Sequence, residues 1–289
     1  MNMNIDLKSI IVRQMVEADI SGAMQLVLAE NWNQTKKDWQ MLLDLNSNLC
    51  LVATYNNEII GTVTAMNYRD QVAWIGMMLV SKRFRGLGIS KNLLNTIIEK
   101  LGGCKSIKLD ATVAGIPVYS KLGFHEELEI DRMVITTFNE IINNKCKDVI
   151  RPICQSDMAE LSRLDFKIFG ANRAGLIDFL RNKNKGWCIV RNNRIVGYVF
   201  GRPGLNFFQL GPLMAETVED AINLTEVILE KHIGQAIVID VLRHQTKFIQ
   251  RLASLGFSCQ RSFVRMYLKD NSFAGLVSKQ FLIAGPELG

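Results

Sequence analysis

Val80-Ser81-Lys82-Arg83-Phe84-Arg85-Gly86-Leu87-Gly88-Ile89-Ser90 closes an apolar run of strand length, Gln71–Val80, and opens a helical one. From there Ile89, Leu93, Leu94, Ile97, Ile98 and Leu101 recur at the spacing of one helix face, and Gly102-Gly103 ends the pattern. The turn between strand and helix carries Arg83, Gly86 and Gly88 as R-x-x-G-x-G. Its glycines let backbone approach a ligand with no Cβ in the way. The helix N-terminus adds unpaired N–H groups and the positive end of the macrodipole, and Lys82, Arg83 and Arg85 add charge. Together these suit a pyrophosphate. Taken alone, the turn is equally well explained as a tight strand-to-helix connection.

Working outward, Asn48–Thr54 and Glu58–Asn67 read as strands joined at Asn56-Asn57, and Ser106–Thr112 alternates as a strand with Ile107, Leu109 and Ala111 on one face. A short helical stretch then leads to Val118-Tyr119-Ser120-Lys121-Leu122-Gly123-Phe124. Much of this is said twice. Arg13 and Asp19 stand six apart, as do Arg151 and Asp157. NNEIIGTV (56–63) is echoed by NNRIVGYV (192–199), and Leu122-Gly123-Phe124 by Leu255-Gly256-Phe257. Three echoes in the same order and near-identical register mark a tandem duplication, with repeated parts at about 10–135 and 149–270. The polar segment Asn139–Lys147 reads as the connection, and Phe273–Gly289 is apolar enough to pack back on a domain.

The 289 residues are enough for two ordinary domains, and 48% hydrophobic with 21% charged residues is a globular composition. A formal charge of +6 suits an anionic ligand, but no Lys/Arg block points to nucleic acid. Six cysteines without a C-x-x-C pair and three unclustered histidines give no metal site. No stretch reaches the length of a membrane helix, and MNMNIDLKSI has no apolar signal-peptide core, so a cytoplasmic protein with reduced thiols is expected.

The glycine-rich turn and the Tyr119 segment, with Gly88 and Tyr119 31 residues apart, together resemble the GNAT acetyltransferase superfamily. V-x-x-x-x-R-G-x-G-I-x-x-x-L-L resembles its cofactor motif and Y-x-K-L-G-F its later signature. The phrases Asn31-Trp32-Asn33, Leu109-Asp110-Ala111-Thr112, Gly211-Pro212-Leu213-Met214-Ala215, Arg265-Met266 and Ile283–Gly289 resemble bacterial two-domain members whose second copy is divergent. The implied fold is α/β: two tandem GNAT-like domains, 10–138 and 149–289, each a mixed, mostly antiparallel sheet flanked by helices. The implied activity is transfer of an acetyl group from acetyl-CoA to a primary amine of a small molecule or protein, with no metal.

The resemblance places cofactor binding at Met78, Leu79, Val80, Arg83, Phe84, Arg85, Gly86, Leu87, Gly88, Ile89 and Ser90. It places the general acid at Tyr119, with a packed aromatic as the alternative. For the amine's proton, Asp110 and Glu30 are candidate bases beside a water chain, and Asn31, Trp32, Tyr68 and Trp74 are candidates for the acceptor wall. Register aligns Gly76 with Gly211, so the second copy offers Glu216-Thr217-Val218-Glu219-Asp220-Ala221 in place of the turn, and Leu252 in place of Tyr119. It reads as a structural partner that shapes the acceptor site. A non-catalytic acetyl-CoA sensor is the alternative. A relative transferring aminoacyl groups from transfer RNA is disfavoured by the intact turn.

Overall fold

The computed structural model describes residues 6–139, 146, 148–183 and 185–289. The expected connection at Asn139–Lys147 lies largely outside the described residues. The first copy runs β1 (Ile11–Gln14), α1 (Ile20–Ala29), α2 (Lys36–Asn46), β2 (Cys50–Tyr55), β3 (Glu58–Tyr68), β4 (Val72–Val80), α3 (Ile89–Lys100), β5 (Ser106–Thr112), α4 (Ile116–Ser120) and β6 (His125–Ile135). The second repeats that order: β7 (Val149–Pro152), α5 (Met158–Phe169), α6 (Ala174–Lys183), β8 (Trp187–Arg191), β9 (Arg194–Pro203), β10 (Phe208–Ala215), α7 (Val218–Lys231), β11 (Ile237–Leu242), α8 (Thr246–Ser254) and β12 (Ser258–Lys269). One further strand, β13 (Gln280–Leu282), follows.

The echoes seen in the sequence fold as matched local structures. Arg13 grips Asp19 through two hydrogen bonds of 2.6 and 2.8 Å, and Arg151 grips Asp157 through two of 2.7 and 2.8 Å. Asn56-Asn57 and Asn192-Asn193 all adopt positive φ, the geometry of a two-residue hairpin turn with the twist of its strands. Gly123 and Gly256 (φ +89° and +94°) end α4 and α8 alike. The N–H of Phe124 donates to the Tyr119 carbonyl at 3.1 Å, and that of Phe257 to the Leu252 carbonyl at 3.1 Å.

All thirteen strands form one sheet, in the order β1-β2-β3-β4-β5-β12-β6-β11-β13-β10-β9-β8-β7. The last strand of each copy has crossed over: β12 pairs antiparallel with β5, and β6 antiparallel with β11. Two buried ion pairs mark the exchange. Arg265 on β12 faces Asp110 on β5 (2.9 Å), and Arg132 on β6 faces Asp240 on β11 (2.7 Å). The short phrases around Asp110 and Arg265, whose chemistry the sequence does not explain, thus hold one copy to the other.

One hydrophobic core lies where α1 and α2 meet α5 and α6, mixing Trp39 and Leu42 with Leu176, Ile177 and Phe200. Separate cores sit under α3 in the first copy and under α7 and α8 in the second. No helix among the described residues is long and apolar enough to cross a membrane, and none of their His, Cys, Asp or Glu side chains cluster as a metal site.

Candidate active site

β4 and β5 run parallel and pair only at Val72–Trp74 with Ser106–Lys108. Beyond Trp74 they part, and the gap is a cleft. Register between β3 and β4 shifts there: Thr62 pairs with Leu79 and Thr64 with Gly76. Met77 takes φ +49°, and the Thr62 hydroxyl donates to its carbonyl at 2.7 Å. Such a bulge leaves a residue outside the ladder and re-aims its backbone, and Gly76, Met77 and Met78 line the cleft at this point.

At the far end of β4 the turn is open. Gly86 and Gly88 have φ of +78° and +79°, a region that favours glycine, and a Cβ at either would meet no protein atom within 4 Å. Gly88 starts α3 with no side-chain cap, so no capping side chain takes up the helix's first N–H groups. Arg83, Arg85, Gly86 and Gly88 are exposed, while Phe84, Ile89 and Leu79 are buried and anchor the turn. Leu87 and Val80 pack partly on the same core, and Ser90 is half-buried. Glu30 braces the basic residues: Arg85 reaches it at 2.6 Å and Lys82 at 3.8 Å. These residues fit an anionic, phosphate-bearing group.

Tyr119, on α4, lines the cleft from the β5 side with its ring edge against Phe124. Burial pushes its hydroxyl up to about 12, so it keeps its proton at any physiological pH. The other expected residues divide. Trp32 lines the cleft. Asn31 sits at φ +52° and binds Asn206 of the second copy instead. Tyr68 and Trp74 are buried behind the chain's last residues: the Tyr68 hydroxyl donates to the Leu288 carbonyl (2.6 Å) and the Trp74 indole to that of Pro286 (3.1 Å). Asp110 borders the cleft, but Arg265 takes both its oxygens. Burial raises the Asp110 pKa and Arg265 opposes that rise. Glu30 stands at the basic turn.

Other cleft residues were not legible in the sequence. Arg261 and Phe263 arrive on the exchanged β12, Arg132 on β6, and Gln34 from the loop before α2. Pro286 and Glu287 arrive on the final segment. Glu287 lies so close to β4 that a Cβ on Gly76 would come within 2.5 Å of its Cα. Arg202 (2.6 Å) and Gln34 (3.0 Å) donate to its carboxylate, whose pKa is raised chiefly by burial. The phrase Ile283–Gly289, which resembles two-domain GNAT members, was the one available signal, and it named no chemistry.

The family model described as "Acetyltransferase (GNAT) family" matches residues 15–124, and a second, "Acetyltransferase (GNAT) domain", matches 161–282. The chain belongs to the GNAT acetyltransferases. It is a tandem GNAT protein and an acyltransferase by family, and GNAT enzymes use acetyl-CoA. It is 26% identical over 265 residues to the holothin acyltransferase of Pseudoalteromonas sp. (strain SANK 73390), covering 91% of this chain and 88% of that one. It is 22% identical over 243 residues to the uncharacterized N-acetyltransferase YitH of Bacillus subtilis (strain 168), covering 83% and 85%. A crystal structure from Pyrococcus horikoshii assigned to the acetyltransferases shares the fold with a TM-score of 0.84 at 20% identity, covering 99% and 98%.

Proposed function

We propose that this GNAT protein is an N-acetyltransferase that holds acetyl-CoA in its first copy alone and acetylates a primary amine of a small molecule or protein. The observation that carries the reading is the arrangement of three parts along β4 and the cleft it borders: the bulge at Met77-Met78 and Tyr119 line the cleft, and the open Arg83–Ser90 turn follows the end of the same strand. The turn's N–H groups, with Arg83 and Arg85, bind the phosphates, and the apolar edge of β4 from Met78 to Val80 guides the chain that follows. Acetyl-CoA supplies an acetyl thioester: the acceptor nitrogen gains the acetyl group and loses a proton to solvent, the C–S bond breaks, and the sulfur takes a proton from a donor that solvent then recharges. Main-chain N–H groups beside the bulge stabilise charge on the carbonyl oxygen, a contribution of typically about 3 kcal/mol per donor. Tyr119 gives the sulfur its proton.

Thiol release from acetyl-CoA over a panel of amines tests the reading, with Tyr119→Phe as the diagnostic variant. Its ring stays packed, so kcat should fall by about 10²–10³ while acetyl-CoA affinity barely moves. Because burial lifts the hydroxyl to about 12, no loss of rate below about pH 11 should trace to Tyr119. Near-normal kcat in the variant would leave Tyr119 a packing residue and solvent the proton donor.

A further inference from the structure

The cleft contains two buried polar atoms with no partner, and they are of opposite kinds. The Nε of Arg261 is a donor without an acceptor, and the Oε1 of Gln34 is an acceptor without a donor. A buried polar atom left unpaired costs about 1–3 kcal/mol, so each such atom calls for an explanation. Gln34's orientation is fixed, because its Nε2 already donates to Glu287.

The two atoms lie on opposite walls. Gln34 and Glu287 stand on the β4 side, where Glu287 presses on Gly76. Arg261 stands on the β5 side, two residues before Phe263, which pairs with Thr112 of β5. The charges around them are otherwise matched. Arg265 is answered by Asp110 and Arg132 by Asp240, while Arg202 is shared between Asp38 and Glu287. Among the described residues Arg261 alone of these arginines forms no ion pair; its guanidinium lies 5.2 Å from the Phe263 ring centroid. One wall therefore has spare acceptor capacity beside a carboxylate, and the other has a spare cation.

We propose that the acceptor is an amine that also carries a carboxylate, its nitrogen held by Gln34 Oε1 and Glu287 and its carboxylate by Arg261. The inference rests on the acetyltransferase reading above and names the substrate class for that cleft. An arginine fork matches a carboxylate in shape as well as charge. Desolvation and the neighbouring Arg132 push the Arg261 pKa down to about 10, a destabilisation that a bound anion relieves. A neutral amine would leave that cation unanswered.

The test uses the whole protein with the common protein amino acids, β-alanine and 4-aminobutyrate, each beside its carboxamide. Two readouts are taken: thiol release from acetyl-CoA, and calorimetric binding to the CoA-saturated protein. The best acid should exceed its amide by about 10- to 100-fold in kcat/KM, the worth of a charge-assisted contact. Arg261→Gln should bring that ratio close to one, and Arg261→Lys, which keeps the charge, should retain part of it. Amides used as well as acids, or an acid preference untouched by Arg261→Gln, would overturn the inference, as would no binding of any free acid. Arg261-dependent acid binding without thiol release would uphold the carboxylate site and sink acetyl transfer instead.

Discussion

Between β4 and β5 the sheet opens into a cleft; between β10 and β11 the same opening is closed by β13. There too the strands run parallel for three residue pairs, Phe208–Leu210 with Ile237–Ile239, and then part. Leu282 fills the gap, pairing with Leu213 on one side and Val241 on the other. The surrounding positions have changed in step. Gly76-Met77-Met78 at the first bulge is matched by Gly211-Pro212-Leu213 at the second, and proline has no N–H to offer. Gly88, which leaves the start of α3 bare, is matched by Thr217, whose hydroxyl accepts from the Asp220 N–H. Arg191 then neutralises Asp220, so this helix end is satisfied from within. Tyr119 is matched by Leu252. One half kept an opening and its donors; the other filled the opening with its own chain and spent its donors on itself.

The filling segment also serves the open half. After β13 the chain passes Ile283 against Gly211, where an added Cβ would lie 2.1 Å from the Ile283 carbonyl oxygen. It then folds over Trp74 and lays Glu287 against Gly76. Tyr68 and Trp74 of the first copy and Arg173 and Arg202 of the second all hold it. Closing one cleft and lining the other are therefore the work of a single strand and its extension.

The largest test of this asymmetry is Gly86→Asp. A carboxylate near a phosphate costs roughly 4 kcal/mol at the dielectric of a protein surface, so acetyl-CoA affinity should fall by about a thousandfold. Calorimetry on the unaltered protein should count one site per chain. Two equivalent sites would break the comparison between the copies.

The exchanged strands offer the next test. Arg265→Met leaves Asp110 buried and unpaired, at an expected cost of about 3–5 kcal/mol in urea unfolding, and adding Asp110→Leu should recover most of it. Arg132→Met should cost less, because Gln209 still donates to Asp240 at 3.1 Å. Equal costs would show that the two crossings are not distinguished by that hydrogen bond.

The smallest effects belong to the features the copies share. Asp19→Asn and Asp157→Asn should each cost about 1 kcal/mol, since the arginine in each pair is well exposed and solvent screens it. Hydrogen bonds from Arg13 and Arg151 hold both carboxylates below their usual pKa. Their stability is thus present above about pH 4 and lost as pH falls towards the lowered values. The difference between each variant and the parent protein should accordingly shrink on acidification. Unequal costs at neutral pH would sharpen the comparison, showing that divergence has reached even the matched clasps.

What the sequence determined by itself is what short-range physics writes into it. The asparagine hairpins, the Arg13–Asp19 and Arg151–Asp157 clasps, the Gly123 and Gly256 helix ends and the Arg83–Ser90 turn each close within a few residues. Backbone conformation and local hydrogen bonds specify them wherever the chain later goes. The duplication was legible for the same reason, and with it the loss of the turn and of Tyr119's counterpart from the second copy. Only the tertiary structure decided which strands became neighbours. Arg261 and Phe263 reach the first cleft because β12 crosses over, and Glu287 because the segment after β13 runs back across the sheet. Tyr68, Trp74 and Asp110 left the acceptor wall or its chemistry because that segment and Arg265 engaged them. Pairings between residues more than a hundred positions apart are set by which edges and openings the folded sheet leaves to be filled, and no local pattern encodes that.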